Sequence, residues 1–276
     1  MAYYTSPQAY FDEAYRHSGK KKFLFEGDSW FSIPDLANIP IQIDSLLDPS
    51  ILCLANPGDT LAEISSGLQY QILDNLIKSE RYGQQWDAIF LSAGANDIIG
   101  PRIQQFLTMP AAVSNDPRAY LNMARLNAAL DEIAVMLGKI ITIRNNSEIN
   151  QTTPILVYPY VYLTPRPVAH KIFVWKVSGP WIYPYMIRAG IDDFTMRQQI
   201  VRYLIDRYFG LLSKLQAVPG SHFYVIDTRS ALPPVSEEQM NKSTLFWNDE
   251  IHPSSRGYRE ITEKYFIPVL KSLGLA

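Results

Sequence analysis

Five short runs along the 276-residue chain are almost continuously apolar and end in Gly, Asn, Asp or Pro: Lys22 to Glu26, Ile51 to Ala55, Ala88 to Ser92, Ile155 to Tyr158 and Phe223 to Ile226. Runs without polar alternation are expected of strands covered on both faces. Between them, apolar residues recur at helical spacing. Leu61, Ile64, Leu68, Ile72 and Leu76 form one stripe, Leu126, Leu130, Ile133, Leu137 and Ile140 a second, and Val201, Leu204, Tyr208, Leu211 and Leu215 a third. Strand and helix alternate, which predicts an α/β protein built on a doubly wound sheet of about five parallel strands. A final helix is predicted from about Ser255, with Tyr258, Ile261 and Tyr265 on one face, bent or ended by Pro268.

No internal repeat, low-complexity tract or charged linker divides the sequence, so a single domain over 1–276 is expected. Two connections are too long for plain crossovers and read as insertions, at about 98–118 and about 159–193. Composition narrows the function classes. With 47% apolar and 19% charged residues the chain can bury a substantial core, and a net charge of −2 with scattered basic residues makes nucleic acid a poor partner. The lone cysteine, Cys53, lies in an apolar run and reads as a small buried side chain, so no intramolecular disulfide forms. The N-terminus lacks the basic flank and apolar stretch of a secretory signal, and no run approaches the roughly 18 apolar residues of a spanning helix. A soluble, cytoplasmic protein with no transmembrane segment is the expectation.

The chemistry sits near the two ends. Gly27-Asp28-Ser29-Trp30 follows the first apolar run, where a strand breaks into a turn, and Asp249-Glu250-Ile251-His252 lies beyond the last. A serine hydroxyl becomes a strong nucleophile when an imidazole takes its proton, and the imidazole needs a carboxylate to fix its tautomer. Ser29, His252 and Asp249 supply these three groups. Gly58, just past the second run, and Asn96, just past the third, would offer a backbone N–H and a side-chain amide beside the N–H of Ser29, as an oxyanion requires. If the strands form one sheet, all these residues meet above its carboxyl edge.

With these blocks in order, Ser29, Gly58, Asn96 and His252, the chain resembles the SGNH or GDSL hydrolase family, and the matches span Gly27 to Pro253. The resemblance implies a three-layer α/β/α fold of flavodoxin type, no metal or organic cofactor, and cleavage of esters through an acyl-enzyme. Trp30 departs from the eponymous tetrapeptide, which has Leu there, and sets a bulky indole beside the nucleophile. The Gly-x-Ser-x-Gly elbow, phosphate loops and zinc-helix motifs of other enzyme classes are missing.

The second insertion is rich in aromatics: Tyr158, Tyr160, Tyr162, Phe173, Trp175, Trp181, Tyr183 and Tyr185. Trp30, Tyr160, Trp175 and Trp181 are candidates for substrate contact, while a satellite core or a dimer contact accounts for the same pattern. Arg166 and Lys171 within it would favour an anionic substrate. Among the other histidines, His17 and His222 read as surface or boundary residues, and His170 as a structural residue with substrate contact as the alternative. Asp97 is expected to brace its loop. A confined pocket beside Trp30 points to a short acyl group such as acetyl. A longer-chain lipase or phospholipase activity, or an idle glycan- or partner-binding protein, are the alternatives; the substrate would be a small ester, a lipid or an acylated carbohydrate.

Overall fold

The computed structural model describes residues 2–78, 84–172 and 175–276, the side chains of 172 and 175–177 excepted. Eight strands are present among these residues: β1 (Ala2–Tyr4), β2 (Lys22–Gly27), β3 (Ser50–Cys53), β4 (Ala88–Ser92), β5 (Ile155–Val157), β6 (His170–Ile172), β7 (Trp175–Ser178) and β8 (Phe223–Val225). Six of them form one sheet in the order β1-β3-β2-β4-β5-β8, and every pairing is parallel. The four inner strands are buried almost throughout. That explains their unbroken apolar character, since helices cover both faces of a parallel sheet.

The sheet has six strands rather than about five. The extra one, β1, pairs with β3 at an edge through Ala2, Tyr3 and Tyr4. It is too short and too weakly apolar to stand out as a run. Two helical groups form the outer layers. The helices Gly67–Lys78, Met123–Asn145 and Phe194–Gln216 pack in succession on one another, and Ile39–Leu47 packs with Ser255–Ile261 and the segment after it. Both long helices start at side-chain caps. Asn122 accepts from Arg125 N at 3.1 Å, and Asp193 accepts from Met196 N at 2.6 Å.

Two helical expectations are corrected. The stripe from Leu61 to Leu76 is split into Leu61–Ile64 and Gly67–Lys78, because Gly67 has φ +60°, a left-handed backbone that interrupts the turn. Pro268 neither ends the last helix nor stands alone as its bend: a wide turn over Thr262–Phe266 precedes it, and helix resumes over Ile267–Ser272 with the proline in its first turn. Placing Pro268 there removes the clash its ring would make with a regular preceding turn. His17 is also misplaced by the sequence reading. It is buried, stacked on Tyr10 at 4.0 Å, and its two ring nitrogens lie 2.7 Å from Tyr10 O and 2.6 Å from Ser50 Oγ. No described helix is long and apolar enough to cross a membrane.

The strand order positions the site. From β2 the chain moves outward to β3 and then returns to the other side of β2 as β4, so the connections leaving β2 and β4 diverge at their carboxyl ends. Such a switch point leaves a crevice for ligands. Close approach of β2 to β4 at this point depends on Gly27, which has φ +152° and faces Ser92; an added Cβ would lie 2.3 Å from Ser92 O. Gly27→Ala is therefore expected to destabilise the protein by about 2 kcal/mol or more, lowering Tm by ~4–8 °C in a calorimetric scan. An unchanged Tm would show that the two strands separate there without cost.

Candidate functional site

At the crevice, Asp28 ends β2 and begins a short helix, Ser29–Ser32. Its carboxylate is fully buried and held on three sides. Oδ1 accepts from Trp30 N at 3.0 Å and from Ser92 Oγ at 2.6 Å, and Oδ2 accepts from Tyr160 OH at 2.5 Å. Burial pushes the Asp28 carboxyl up to about 6, against these hydrogen bonds, which lower it. The result is a rigid turn that presents Ser29 at the helix start, where backbone N–H groups have no intrahelical partner.

The two ends of the chain meet here. Ser29 Oγ lies 2.8 Å from His252 Nε2, and His252 Nδ1 lies 2.9 and 3.0 Å from the two oxygens of Asp249. Asp249 and His252 come from one turn, because Asp249 Oδ1 also accepts from Ile251 N at 2.9 Å and His252 N at 2.8 Å. A short aspartate side chain closing on the backbone ahead of it is the reason three residues of spacing suffice. Burial would raise the Asp249 carboxyl, but the neighbouring His252 and the donors from His170 and His252 outweigh it and hold the group well below the usual carboxylate range.

Gly58 and Asn96 line the same cavity as Ser29 and His252, which has a volume of about 640 Å3. Gly58 has φ +92° in the loop after β3. Asn96 donates one amide hydrogen to Asp59 O at 2.8 Å, which fixes the side chain and leaves the second hydrogen free to meet a ligand. Asp97 ties the two loops together by accepting from Leu61 N at 2.8 Å, and Arg102 stands 3.6 Å from its other oxygen. Asp97 thus occupies the bracing position anticipated for it.

Of the four aromatic candidates, Trp30, Tyr160 and Trp181 line the cavity. The Trp30 ring turns inward, edge-on to Tyr160 at 5.1 Å and to Tyr258 at 5.7 Å, and is only 3% exposed. Tyr160 is equally buried and its hydroxyl is used by Asp28. Both are walls behind the nucleophile and offer no stacking platform. Trp181 is half-buried and lies edge-to-face with His252 at 5.0 Å. The side chain of Trp175 and all of Phe173 lie outside the described residues. Arg166 is a correction: it is fully buried, and its guanidinium donates to Lys242 O and Asp249 O, so it buttresses the 249–252 loop and does not face the cavity. Lys171 is exposed on β6.

Two residues do more here than the sequence reading assigned them. His170 is buried on the cavity wall with Nδ1 3.2 Å from Asp249 Oδ2. Glu250 collects four backbone donors from the insertion: Arg166 N at 3.2 Å, Ile182 N at 2.8 Å, Tyr183 N at 2.6 Å, and Trp181 N. Burial raises its carboxyl to about 7 while these donors pull it down. The only signal for either lay in position, Glu250 next to Asp249 and His170 inside the aromatic insertion. His170, Asp249 and His252 are the one set of three potential metal ligands that converge among the described residues, with ligand atoms within 4.8 Å of one another. Their nitrogens and oxygens are already engaged with each other at hydrogen-bond distance.

The sequence matches no protein-family model and no curated protein. Solved structures do match. A member of the lipolytic protein G-D-S-L family from Veillonella parvula aligns over 91% of this chain and 98% of its own, at 14% identity and a TM-score of 0.50. The three-layer α/β/α fold of this chain is shared with that protein. The chain aligns as well with phospholipase A1 from Streptomyces albidoflavus over 92% of its length and 99% of that one, at 15% identity and TM-score 0.51. It also aligns with the periplasmic domain of a lipopolysaccharide acetyltransferase from Salmonella ser. Paratyphi A over 98% and 91%, at 12% identity and TM-score 0.52.

Within this fold Glu250 fastens the insertion to the 249–252 loop, and a neutral amide in its place presents N–H groups to N–H groups. Glu250→Gln is expected to cost about 2 kcal/mol, or ~4–8 °C in Tm, and to open the 166–183 segment to proteolysis. Wild-type protease resistance in the variant would show that other contacts hold the insertion.

Proposed function

We propose that this protein is a serine hydrolase that cleaves carboxylic esters through an acyl-enzyme. The observation that carries this reading is the continuous chain from Ser29 Oγ through His252 to Asp249, opening on a cavity. His252 Nε2 takes the hydroxyl proton as Ser29 Oγ attacks the ester carbonyl, and Asp249 stabilises the imidazolium that forms. The carbonyl electrons move onto oxygen, where the N–H groups of Ser29 and Gly58 and the free amide hydrogen of Asn96 meet them. When the tetrahedral centre collapses, the bond to the alcohol oxygen breaks and His252 returns its proton to that oxygen. Water, deprotonated by the same nitrogen, then releases the acid and restores Ser29.

The reading rests on Ser29, so it is tested there. A fluorophosphonate probe is expected to label Ser29, and Ser29→Ala is expected to lose the label and at least ~10⁴-fold in kcat/KM with little change in Tm. Absence of an adduct on the folded protein would overturn the proposal and favour a binding protein.

The cavity supports an acyl group longer than acetyl. The preference for acetyl rests on Trp30 and the packed aromatic loop confining the acyl pocket; Trp30 lines the cavity with its ring packed inward against Tyr160 and Tyr258. Ile33, Pro34, Ile99, Pro101, Leu163 and Ile251 line the space in front of Ser29, and its volume falls among those that hold drug-sized ligands. Across p-nitrophenyl esters from acetyl to palmitoyl, kcat/KM is expected to peak at medium chains, roughly tenfold or more above acetyl given ~0.8 kcal/mol per buried methylene. A maximum at acetyl would show that the cavity closes around small acyl groups.

A further inference from the structure

His170 shares the carboxylate on which the base depends. It is buried, its ring centroid is 6.0 Å from that of His252, and its Nδ1 faces two groups of opposite character. The amide Nδ2 of Asn248 is 2.9 Å away and Asp249 Oδ2 is 3.2 Å away, while Asn248 Nδ2 is also 3.1 Å from that same oxygen. On its far side, Nε2 makes no hydrogen bond among the described residues but stands 3.4 Å from Asp35 Oδ1, on the loop after the nucleophile helix.

Two proton arrangements satisfy this cluster. In the neutral ring, with its proton on Nε2 toward Asp35, Nδ1 accepts one hydrogen of the Asn248 amide and the other goes to Asp249. In the protonated ring, Nδ1–H donates to Asp249 directly and the Asn248 amide is displaced. We propose that His170 is a positioning residue for the Asp249–His252 pair, and that its protonation draws Asp249 away from the base. The inference rests on the hydrolase reading of that same site. A positive His170 both takes part of the Asp249 charge and opposes a second positive ring close by, so the imidazolium formed on His252 during attack is less stable. Asp249 and Asp35 both favour the charged ring, with Asp249 the stronger influence, and raise it above the ordinary histidine value. The remaining charged groups nearby are His252, the buried Arg166 and Glu250 on the catalytic-loop side, and Lys171, exposed on the hairpin.

The test is the pH dependence of kcat/KM, which reports ionisations of the free enzyme. In the wild type the acid limb is expected to contain a first step of order tenfold as His170 gains its proton. His170→Gln, which offers an amide donor that does not titrate, is expected to lose the first step, so that its kcat/KM relative to wild type rises severalfold between pH 9 and the acid limb. Asp35→Asn, at a half-exposed position with φ +60° that asparagine tolerates, is expected to move the first step to lower pH and leave the alkaline plateau unchanged. Profiles of both variants that superimpose on wild type after scaling would overturn the proposal. So that its failure is separable from failure of the hydrolase reading, the His252 ring is also titrated by NMR in a Ser29→Ala background. Its midpoint is expected to rise when His170 becomes Gln, whatever the turnover, and an unmoved midpoint would equally overturn the inference.

Discussion

A buried carboxylate must be surrounded by donors or lose its charge, and around Asp249 that requirement organises the whole site. Two backbone N–H groups of its own turn, the Asn248 amide and the rings of His252 and His170 all converge on its two oxygens. The group is fully buried yet held in the charged form. Because the same oxygens fix the turn and the imidazole, the loop cannot adopt its shape without also aiming His252 at Ser29. Folding of the loop and orientation of the imidazole are one event here.

The partner half of the site is set by the sheet. Ser29, Gly58 and Asn96 each follow a strand, and the reversal of strand order around β2 brings the three connections to one crevice. Asp28 anchors the first of them through Ser92 and Tyr160, and Asp97 and Asp59 link the other two. These carboxylates and carbonyls are spent on holding backbone in place, which leaves the hydroxyl of Ser29, the backbone of Gly58 and the free hydrogen of Asn96 facing the cavity.

How much of this was legible in the sequence depended on whether the signal was local. Buried parallel strands announce themselves as continuous apolar runs, and β2 to β5 and β8 all lie where such runs stand. Strand β1 has only three residues and takes its stability from β3, 48 positions away in register, so nothing near it marks it. Ser29, Gly58, Asn96, Asp249 and His252 were legible because each sits just past a strand or within one turn; the structure brings Ser29, Gly58, Asn96 and His252 to one cavity, with Asp249 buried behind the imidazole. Arg166, Glu250, His17 and His170 carry polar side chains that local reasoning places at the surface or in generic structural roles. Each is buried because a partner distant in sequence satisfies it: carbonyls of 242 and 249 for Arg166, four amides of the insertion for Glu250, Ser50 for His17 and Asp249 for His170. Trp30 shows the converse, a residue flagged for its place beside the nucleophile that long-range packing turns into core.

Glu250 and Asp249 are consecutive, one clamped to the aromatic insertion and the other to the imidazole. A single peptide unit therefore joins the outer wall of the cleft to the Ser29–His252 pair, with no slack between them. The insertion is not an ornament that can be trimmed or exchanged like a surface loop: it is a footing of the imidazole, and any remodelling of that wall is transmitted to His252 through the backbone of two residues.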